Sequence, residues 1–192
     1  MWYQIFSKVY EMAAQKMAEQ CQEYIEKGDT ILDLGCGSGI VASVFQEFFQ
    51  AEVVGVDVAD NTVRGIPFQI TSGKEIPFPD NSFDSVLIAF VLHHAKDPVS
   101  LLEEAKRVSR KRIIIYEDLP EGPISSFFCW LHGFSFDRWF QNKRTTSFKK
   151  EGDWKKFFNQ LELDLIAEKE ASSDFNPVQK KLFVLQKKIK GV

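Results

Sequence analysis

Three glycines separated by single residues, Gly35, Gly37 and Gly39, follow the short apolar segment TILDL. Glycine has no Cβ, so a turn of this kind lets the backbone approach a ligand closely, and a helix that begins after it directs N–H groups at the same point. Dinucleotide-binding turns have the spacing Gly-x-Gly-x-x-Gly, whereas Ile40 stands where the last of those glycines would be. The turn therefore predicts a nucleotide-like ligand that is not NAD.

Two carboxylates accompany this turn. Asp33 precedes Gly35 by two residues, where its charge would repel a pyrophosphate and would suit a ligand that carries an ammonium group. Asp57 lies near the end of the next apolar segment, EVVGVDV, and a carboxylate at such a strand tip accepts hydrogen bonds from both hydroxyls of a ribose. A ribose, a positive charge and no pyrophosphate together indicate S-adenosylmethionine.

The elements that must position these residues alternate along the chain. Apolar residues recur at helical spacing from Ile5 to Tyr24, and Gly28 is expected to end this helix. Helices are also expected over residues 40–50, 99–108 and 153–161. Between them, TILDLG, EVVGVDV, FDSVLIAF and RIIIYED are predicted as strands, and LDLIAEKE with KLFVLQK as a closing antiparallel pair. This alternation predicts one α/β domain over residues 1–192, a mostly parallel sheet with helices on both sides.

Composition excludes several other classes of protein. The net charge of −3 disfavours a dedicated nucleic-acid binder, and no apolar run is long enough to span a bilayer, so a cytoplasmic protein is expected. The three cysteines are far apart and lack any metal or redox spacing, which disfavours disulfides and a zinc site built on them.

The order of four blocks carries a family resemblance. DLGCGSG, GVDV, IPFPDNSFDSVLIAFVLHHAKDP and LLEEAKRV occur in the order and spacing of class I S-adenosylmethionine-dependent methyltransferases, and the chain resembles the subgroup that includes the ubiquinone and menaquinone methyltransferases. The resemblance is strong from Thr30 to about Asp118. It implies a Rossmann-like, doubly wound sheet of seven strands with an antiparallel C-terminal strand, S-adenosylmethionine as cofactor and methyl transfer as the activity.

The predicted cofactor site combines the residues discussed above with those that the resemblance adds. Its members are Asp33, Gly35, Cys36, Gly37, Gly39, Asp57, Val58, Ser72, Gly73, Lys74, Phe90 and Val91. The resemblance implies that the glycines line the methionine part of the cofactor, that Asp57 binds the ribose, and that Phe90 and Val91 lie near the methionine end.

Two features depart from the family pattern. The segment VADNTVRGIP, which follows Asp57, is short and contains Gly65 and Pro67, so a loop or a single turn is expected where the family has a full helix. Ser72 stands where the family often has an Asp that accepts a hydrogen bond from the adenine amino group. A serine hydroxyl or nearby backbone would have to replace that contact.

Candidate catalytic residues follow the fourth and fifth strands of the family pattern. His93 and His94 come where an acceptor should approach, and one of them is interpreted as a base or an acceptor-orienting group; alternatively His94 packs structurally and His93 is solvated. Glu117 is expected to contact substrate or to cap the next segment. No metal is expected at the histidine pair, because no carboxylate at ligand spacing completes a site.

The segment GPISSFFCWLHGFSFDRWF, residues 122–140, contains seven phenylalanine and tryptophan rings within a predicted insertion over residues 119–148. These rings are interpreted either as a lid over an apolar acceptor or as core that docks on the sheet. A lid beside the basic C-terminal part would suit a hydrophobic or lipid-like small molecule with an anionic head, and contact with a membrane surface is a further option. A nucleic-acid or protein acceptor, and a non-catalytic partner protein that binds the cofactor, remain the alternatives.

Overall fold

The computed structural model describes residues 7–139, 146–171 and 177–188, and the side chains of residues 136–139 lie outside that description. The helices are α1 (Ser7–Cys21), α2 (Ile40–Phe49), α3 (Pro98–Val108), α4 (Gly122–Trp139) and α5 (Glu151–Gln160), with a 3₁₀ turn over Leu92–His94. The strands are β1 (Thr30–Leu34), β2 (Glu52–Asp57), β3 (Phe68–Ile70), β4 (Phe83–Ala89), β5 (Ser109–Leu119), β6 (Leu163–Glu170) and β7 (Gln179–Lys187).

The seven strands form one sheet in the order β3-β2-β1-β4-β5-β7-β6. The pairs from β3 to β5 are all parallel, and β7 runs antiparallel to both of its neighbours. The strand order reverses between β1 and β4, and ligands bind at such a switch point, beyond the carboxyl ends of the strands. The predicted doubly wound, mostly parallel sheet with an antiparallel C-terminal strand is confirmed.

The core lies in two layers, one on each face of the sheet. One layer includes Val86, Ile113 and Trp154 of α5, and the other includes Phe45 of α2, Leu87 and Ile114. Consecutive residues of β4 and β5 thus point into opposite layers, as the unbroken apolar runs of these strands predict.

Two predictions about local structure are settled by the backbone. The chain between Asp57 and Phe68 contains no helix, which confirms the predicted loop at that crossover. The first helix, however, ends at Cys21 rather than continuing to Gly28, so the expected bound was wrong. The N–H groups of Tyr24 and Ile25 both donate to the carbonyl of Cys21, which closes a short turn instead.

Candidate active site

The glycine turn connects β1 to α2 in conformations that favour glycine. Gly35, Gly37 and Gly39 have φ values of 80°, 50° and 72°, in the left-handed region that residues with a Cβ rarely adopt. A Cβ on Gly35 would lie 2.5 Å from Cγ2 of Val91, whereas a Cβ on Gly37 would meet no atom within 4 Å. The turn is therefore closed against Val91 on one side and open at Gly37, where a ligand can approach the backbone.

Asp57 links the end of β2 to this turn. One carboxylate oxygen, Oδ2, accepts a hydrogen bond from the N–H of Gly37 at 2.8 Å, and Oδ1 accepts one from the N–H of Val58 at 2.6 Å. These two backbone donors hold the carboxylate in place, and it remains half-buried rather than fully enclosed.

Asp33 is buried beneath the turn, with only 1% of its surface exposed. The N–H of Ala42 donates to its carboxyl group, and among the described residues its Oδ2 atom has no hydrogen-bond partner. Burial, and then the nearby charge of Asp57, raise the pKa of Asp33 to about 7. A cationic group that enters the site would relieve both effects.

The other predicted cofactor residues lie at the neighbouring strand ends. Gly73, with φ of 76°, packs against Val58, since a Cβ there would lie 3.2 Å from Cγ1 of Val58. In the same turn Ser72 accepts a hydrogen bond from the N–H of Lys74 at 3.3 Å. These contacts join the loop after β3 to the tip of β2.

Phe90, Val91 and Cys36 complete the set on the side of β4 and of the turn. Phe90 has a positive φ of 59°, and its N–H donates to the carbonyl of Tyr116 on β5. Cys36 is buried, and its Sγ atom would lie 2.7 Å from a Cβ on Gly55. The predicted cofactor residues therefore converge at the carboxyl ends of β1 to β4.

His93 and Glu117 form a buried pair at the ends of β4 and β5. Nδ1 of His93 lies 2.6 Å from Oε2 of Glu117, and both side chains are fully buried. The other oxygen of Glu117 accepts the N–H of Leu92 at 2.8 Å. Because Glu117 engages Nδ1, the Nε2 atom of His93 is left for other contacts, and it has no hydrogen-bond partner among the described residues.

Two further histidine side chains surround this pair. The ring of His94 lies 4.1 Å from that of His93, and the ring of His132, on α4, lies 5.6 Å from His93 and 5.4 Å from His94. Phe148 stacks on His93 at 4.5 Å. Burial and then the neighbouring rings lower the pKa of His94 to about 3, so this imidazole is neutral at physiological pH.

The structure corrects two interpretations of these residues. His93 is buried, so the alternative in which it is solvated is wrong. Glu117 has no exposed surface and both of its oxygens are engaged, so the expected contact with substrate is replaced by a contact with His93. His132 and Phe148 were not predicted, because only the fold brings them to residues some 40 to 55 positions earlier.

Helix α4 turns its large apolar side chains toward solvent and its small ones toward the sheet. Ser125 and Cys129 are buried, and the Ser125 hydroxyl donates to the carbonyl of Leu119. The exposed apolar residues of α4 are Ile124, Phe127, Phe128, Trp130, Leu131 and Phe134, of which Trp130 is the most exposed aromatic residue at 62%. The described rings are therefore not core. The side chains of Phe136 and Trp139, and Phe140 itself, lie outside the described residues.

Comparison with known proteins adds a domain-level match. A model of the family described as "Methyltransferase domain" matches residues 32–116, which include the glycine turn, Asp57, Val91 and both residues of the adjacent histidine pair. The matched residues identify a methyltransferase domain of the S-adenosylmethionine-dependent kind.

Three similar proteins illustrate the extent of the match. An uncharacterized methyltransferase of Schizosaccharomyces pombe is 35% identical over 127 residues, which are 54% of this chain and 46% of that protein. A ubiquinone/menaquinone biosynthesis C-methyltransferase of Desulfotalea psychrophila is 31% identical over 88 residues, 41% and 36% of the two chains. Magnesium protoporphyrin IX methyltransferase of Synechocystis, solved with bound SAH, has a TM-score of 0.69 at 15% identity and covers 93% of this chain and 84% of its own. The matched segments span less than half of these two sequence relatives.

The residues present fit the cofactor of this methyltransferase family. Gly37 leaves open space beside a backbone N–H, Asp57 offers an anchored carboxylate at the tip of β2, and the buried Oδ2 of Asp33 has no hydrogen-bond partner among the described residues. A ribose and an ammonium group match these three features, because both donate hydrogen bonds to carboxylates.

Proposed function

We propose that this protein transfers the methyl group of S-adenosylmethionine to a small, apolar acceptor. The observation that carries the proposal is the buried His93–Glu117 pair, which begins two residues after Val91, the side chain that closes the glycine turn. The glycine turn and the His93–Glu117 pair are thus adjacent at one edge of the sheet. Such adjacency is what a transfer reaction between two bound molecules requires.

On the cofactor side, we assign the methionine part to the turn of Gly35, Gly37 and Gly39, with its ammonium group directed toward Asp33. Asp57 accepts hydrogen bonds from the ribose hydroxyls. Val58 and the turn of Ser72, Gly73 and Lys74 lie beside the adenine, and Phe90 and Val91 lie beside the methionine end. The close contact of Gly73 with Val58 and the anchoring of Asp57 support this placement.

On the acceptor side, the half-buried His94 faces the incoming nucleophile, and the fully buried His93 and Glu117 act behind it as positioning residues. The bound cofactor supplies a methyl group already activated by its sulfonium. An acceptor that carries a proton on its nucleophilic atom releases that proton on this side of the site. The chain's main contribution is to hold the acceptor in line, which can account for a large part of the rate.

The acceptor is proposed to be apolar because of the exposed face of α4. The stacked rings of Trp130 and Phe134, with centroids 5.8 Å apart, and the neighbouring Phe127 belong to the helix that also contributes His132 to the site. The likeness to a methyltransferase of ubiquinone and menaquinone biosynthesis supports a quinone-type acceptor. An acceptor of this kind would reach the site along α4, from a membrane surface or a carrier.

The test measures transfer of a labelled methyl group from S-adenosylmethionine to a panel of acceptors. The panel contains short-chain quinols and other phenols, with transfer RNA, duplex DNA and a peptide mixture as rivals. Labelling of a quinol or phenol that is lost in Trp130→Ala supports the proposal. Labelling of a nucleic acid or peptide alone, or tight cofactor binding without any labelled product across the panel, would overturn it.

A protein that binds the cofactor without transferring methyl is the second candidate. The crossover without a helix after Asp57, and Ser72 at the position expected for adenine, favour it to a small extent. The buried His93–Glu117 pair opposes it, because a binding module has no need to bury a histidine–carboxylate pair at the acceptor side.

A further inference from the structure

We infer that His93, His94 and His132 form a binding site for a transition-metal ion of the zinc type. The chain contains three histidines, and all three come together: one ring nitrogen from each lies within 4.8 Å of the others. His93 and His94 belong to the 3₁₀ turn after β4, whereas His132 comes from α4. The adjacent pair His93 and His94 alone predicts no metal site, but the fold brings His132 to it as a third ligand.

The surroundings of His93 match those of a metal ligand. Nδ1 donates to Glu117 at 2.6 Å, and this carboxylate–histidine pairing fixes the orientation and tautomer of the ring, as it does for many metal-binding histidines. With Nδ1 as donor, Nε2 carries a lone pair. That atom is fully buried and lacks a hydrogen-bond partner among the residues described, which is costly for a polar atom unless a ligand completes it.

A comparable outer contact supports His94. Its Nδ1 atom lies 3.3 Å from the hydroxyl oxygen of Thr146, so the second ring, too, has an oxygen partner that restricts its orientation. Thr146 packs against Gly133, where a Cβ would lie only 3.3 Å from its Cγ2 atom. The glycine next to His132 therefore lets the chain segment after α4 approach the cluster.

The ligand set decides the class of metal. Imidazole nitrogens suit zinc, copper, nickel and iron, whereas calcium and magnesium take oxygen ligands. Three histidines with a fourth position open to water or substrate is the arrangement of catalytic zinc sites. Zn–N bonds of roughly 2.0–2.1 Å place ligand nitrogens about 3.3 Å apart, so the rings must close around the ion, and His132 on the exposed side of α4 can move inward.

The site lies on the acceptor side of the proposed methyltransferase centre, and this one consequence rests on the proposed function. A zinc-bound hydroxyl of an acceptor loses its proton more readily, because the cation stabilises the resulting oxyanion. Binding of the metal itself depends on the geometry of the three histidines and not on methyl transfer.

The experiment titrates Zn²⁺ into untagged, chelator-treated protein against a chromogenic chelator, with neither cofactor nor acceptor present. One equivalent per chain is expected. Glu117→Gln should weaken binding roughly 10- to 100-fold, as loss of an outer-shell partner does, and His132→Ala or His94→Ala should weaken it further. Glu103→Gln, an exposed carboxylate on α3, is the matched control and should bind as the wild type does.

Cobalt supplies a second readout, because Co²⁺ bound by three imidazoles absorbs visible light and the intensity reports the coordination number. A strong visible band that disappears in His132→Ala supports the site. Substoichiometric zinc binding, or equal affinity in the wild type and His132→Ala, would overturn the inference whatever the methyl-transfer assays show. Thermal unfolding of each variant confirms that the comparison is made between folded proteins.

Discussion

At the ends of β1 and β2 the site is made mainly of backbone, whereas at the ends of β4 and β5 it is made of side chains. The cofactor side consists of glycines with positive φ and N–H groups that anchor Asp57. The acceptor side consists of His93 buried against Glu117, with His94 and His132 around it. A backbone site needs only a few special residues close in sequence, while a side-chain site needs the whole fold.

The two sides also differ in the burial of their apolar side chains. On the cofactor side, Ile40 and Phe45 of α2 are buried beneath the sheet. On the acceptor side, α4 packs through Ser125 and Cys129 and leaves Trp130 and Phe134 in solvent. Exposed aromatic clusters of this kind mark interaction surfaces rather than cores. Under the proposed function, the exposed face of α4 is the surface that the acceptor contacts.

Gly35→Ala is expected to have a large effect on both stability and cofactor binding, because the new Cβ would clash where the two sides meet. The new Cβ would combine a left-handed backbone, which costs about 1–2 kcal/mol, with a clash against Val91, for which overpacking typically costs about 1–3 kcal/mol. A total loss of about 2–5 kcal/mol in the free energy of unfolding is expected, measured by urea denaturation, together with loss of cofactor binding.

Gly28→Ala is the matched control for that variant. Gly28 has a similar φ of 84°, but a Cβ there meets nothing within 4 Å. It should show only the backbone cost. Equal losses at the two positions would mean that the contact with Val91 contributes nothing.

Aromatic substitutions test the contrast between core and surface. Phe158→Ala removes a ring that is 1% exposed in α5 and should cost about 3–5 kcal/mol of stability. Trp130→Ala and Phe134→Ala remove rings that are 62% and 55% exposed and should change stability by about 0.5 kcal/mol or less. Under the proposed function, the α4 variants lose acceptor use while S-adenosylhomocysteine affinity, measured by calorimetry, is unchanged. Large melting losses at every α4 ring would contradict the surface assignment.

Asp33 is expected to make the free energy of unfolding depend on pH. Its pKa is raised to about 7 from 3.8, so between these values the folded protein holds a proton that the unfolded chain has lost. Stability of the ligand-free protein should therefore fall as pH rises through this window, by about 4 kcal/mol at most. Asp33→Asn should flatten that part of the profile in urea unfolding and should be the more stable protein above pH 7.

The carboxylate of Asp60 supplies the comparison for Asp33. It is exposed, its hydrogen bonds to Thr62 lower its pKa, and Asp60→Asn should leave the profile between pH 4 and 7 as it is in the wild type. If the ammonium group of the cofactor pairs with Asp33, binding near pH 7 releases a proton, which calorimetry in buffers of different ionisation enthalpy detects. A profile in which Asp33→Asn and wild type coincide would show that Asp33 is ionised in the ligand-free protein.

These contrasts also explain what could be predicted from the sequence. The apolar runs of β1, β2, β4 and β5 and the glycine turn are local signals, and each predicted the element that is observed. The strand β3 is three residues long and partly exposed, so it has no comparable pattern.

The acceptor side was less accessible because its contacts are distant in sequence. Glu117 reaches His93 across 24 positions and His132 reaches it across 39, separations at which spacing carries no information. The orientation of α4 was also hidden, since apolar residues ordinarily face inward, and here Ser125 and Cys129 occupy the inner face instead.

Among the substitutions on the cofactor side, Asp57→Ala has the smallest expected effect and the sharpest interpretation. Loss of the carboxylate leaves the ribose hydroxyls without an acceptor and should weaken binding of S-adenosylhomocysteine by about 1–3 kcal/mol.

The same change also frees the N–H of Gly37, so a weaker complex alone does not distinguish ribose recognition from a loosened turn. Comparing adenosine with 2′,3′-dideoxyadenosine in both proteins separates the two effects. If Asp57 binds the ribose, the wild type prefers adenosine and Asp57→Ala binds the two nucleosides equally, because the hydroxyls no longer have a partner. If Asp57 acts only through the turn, the variant retains the preference of the wild type, and the ribose site must lie elsewhere.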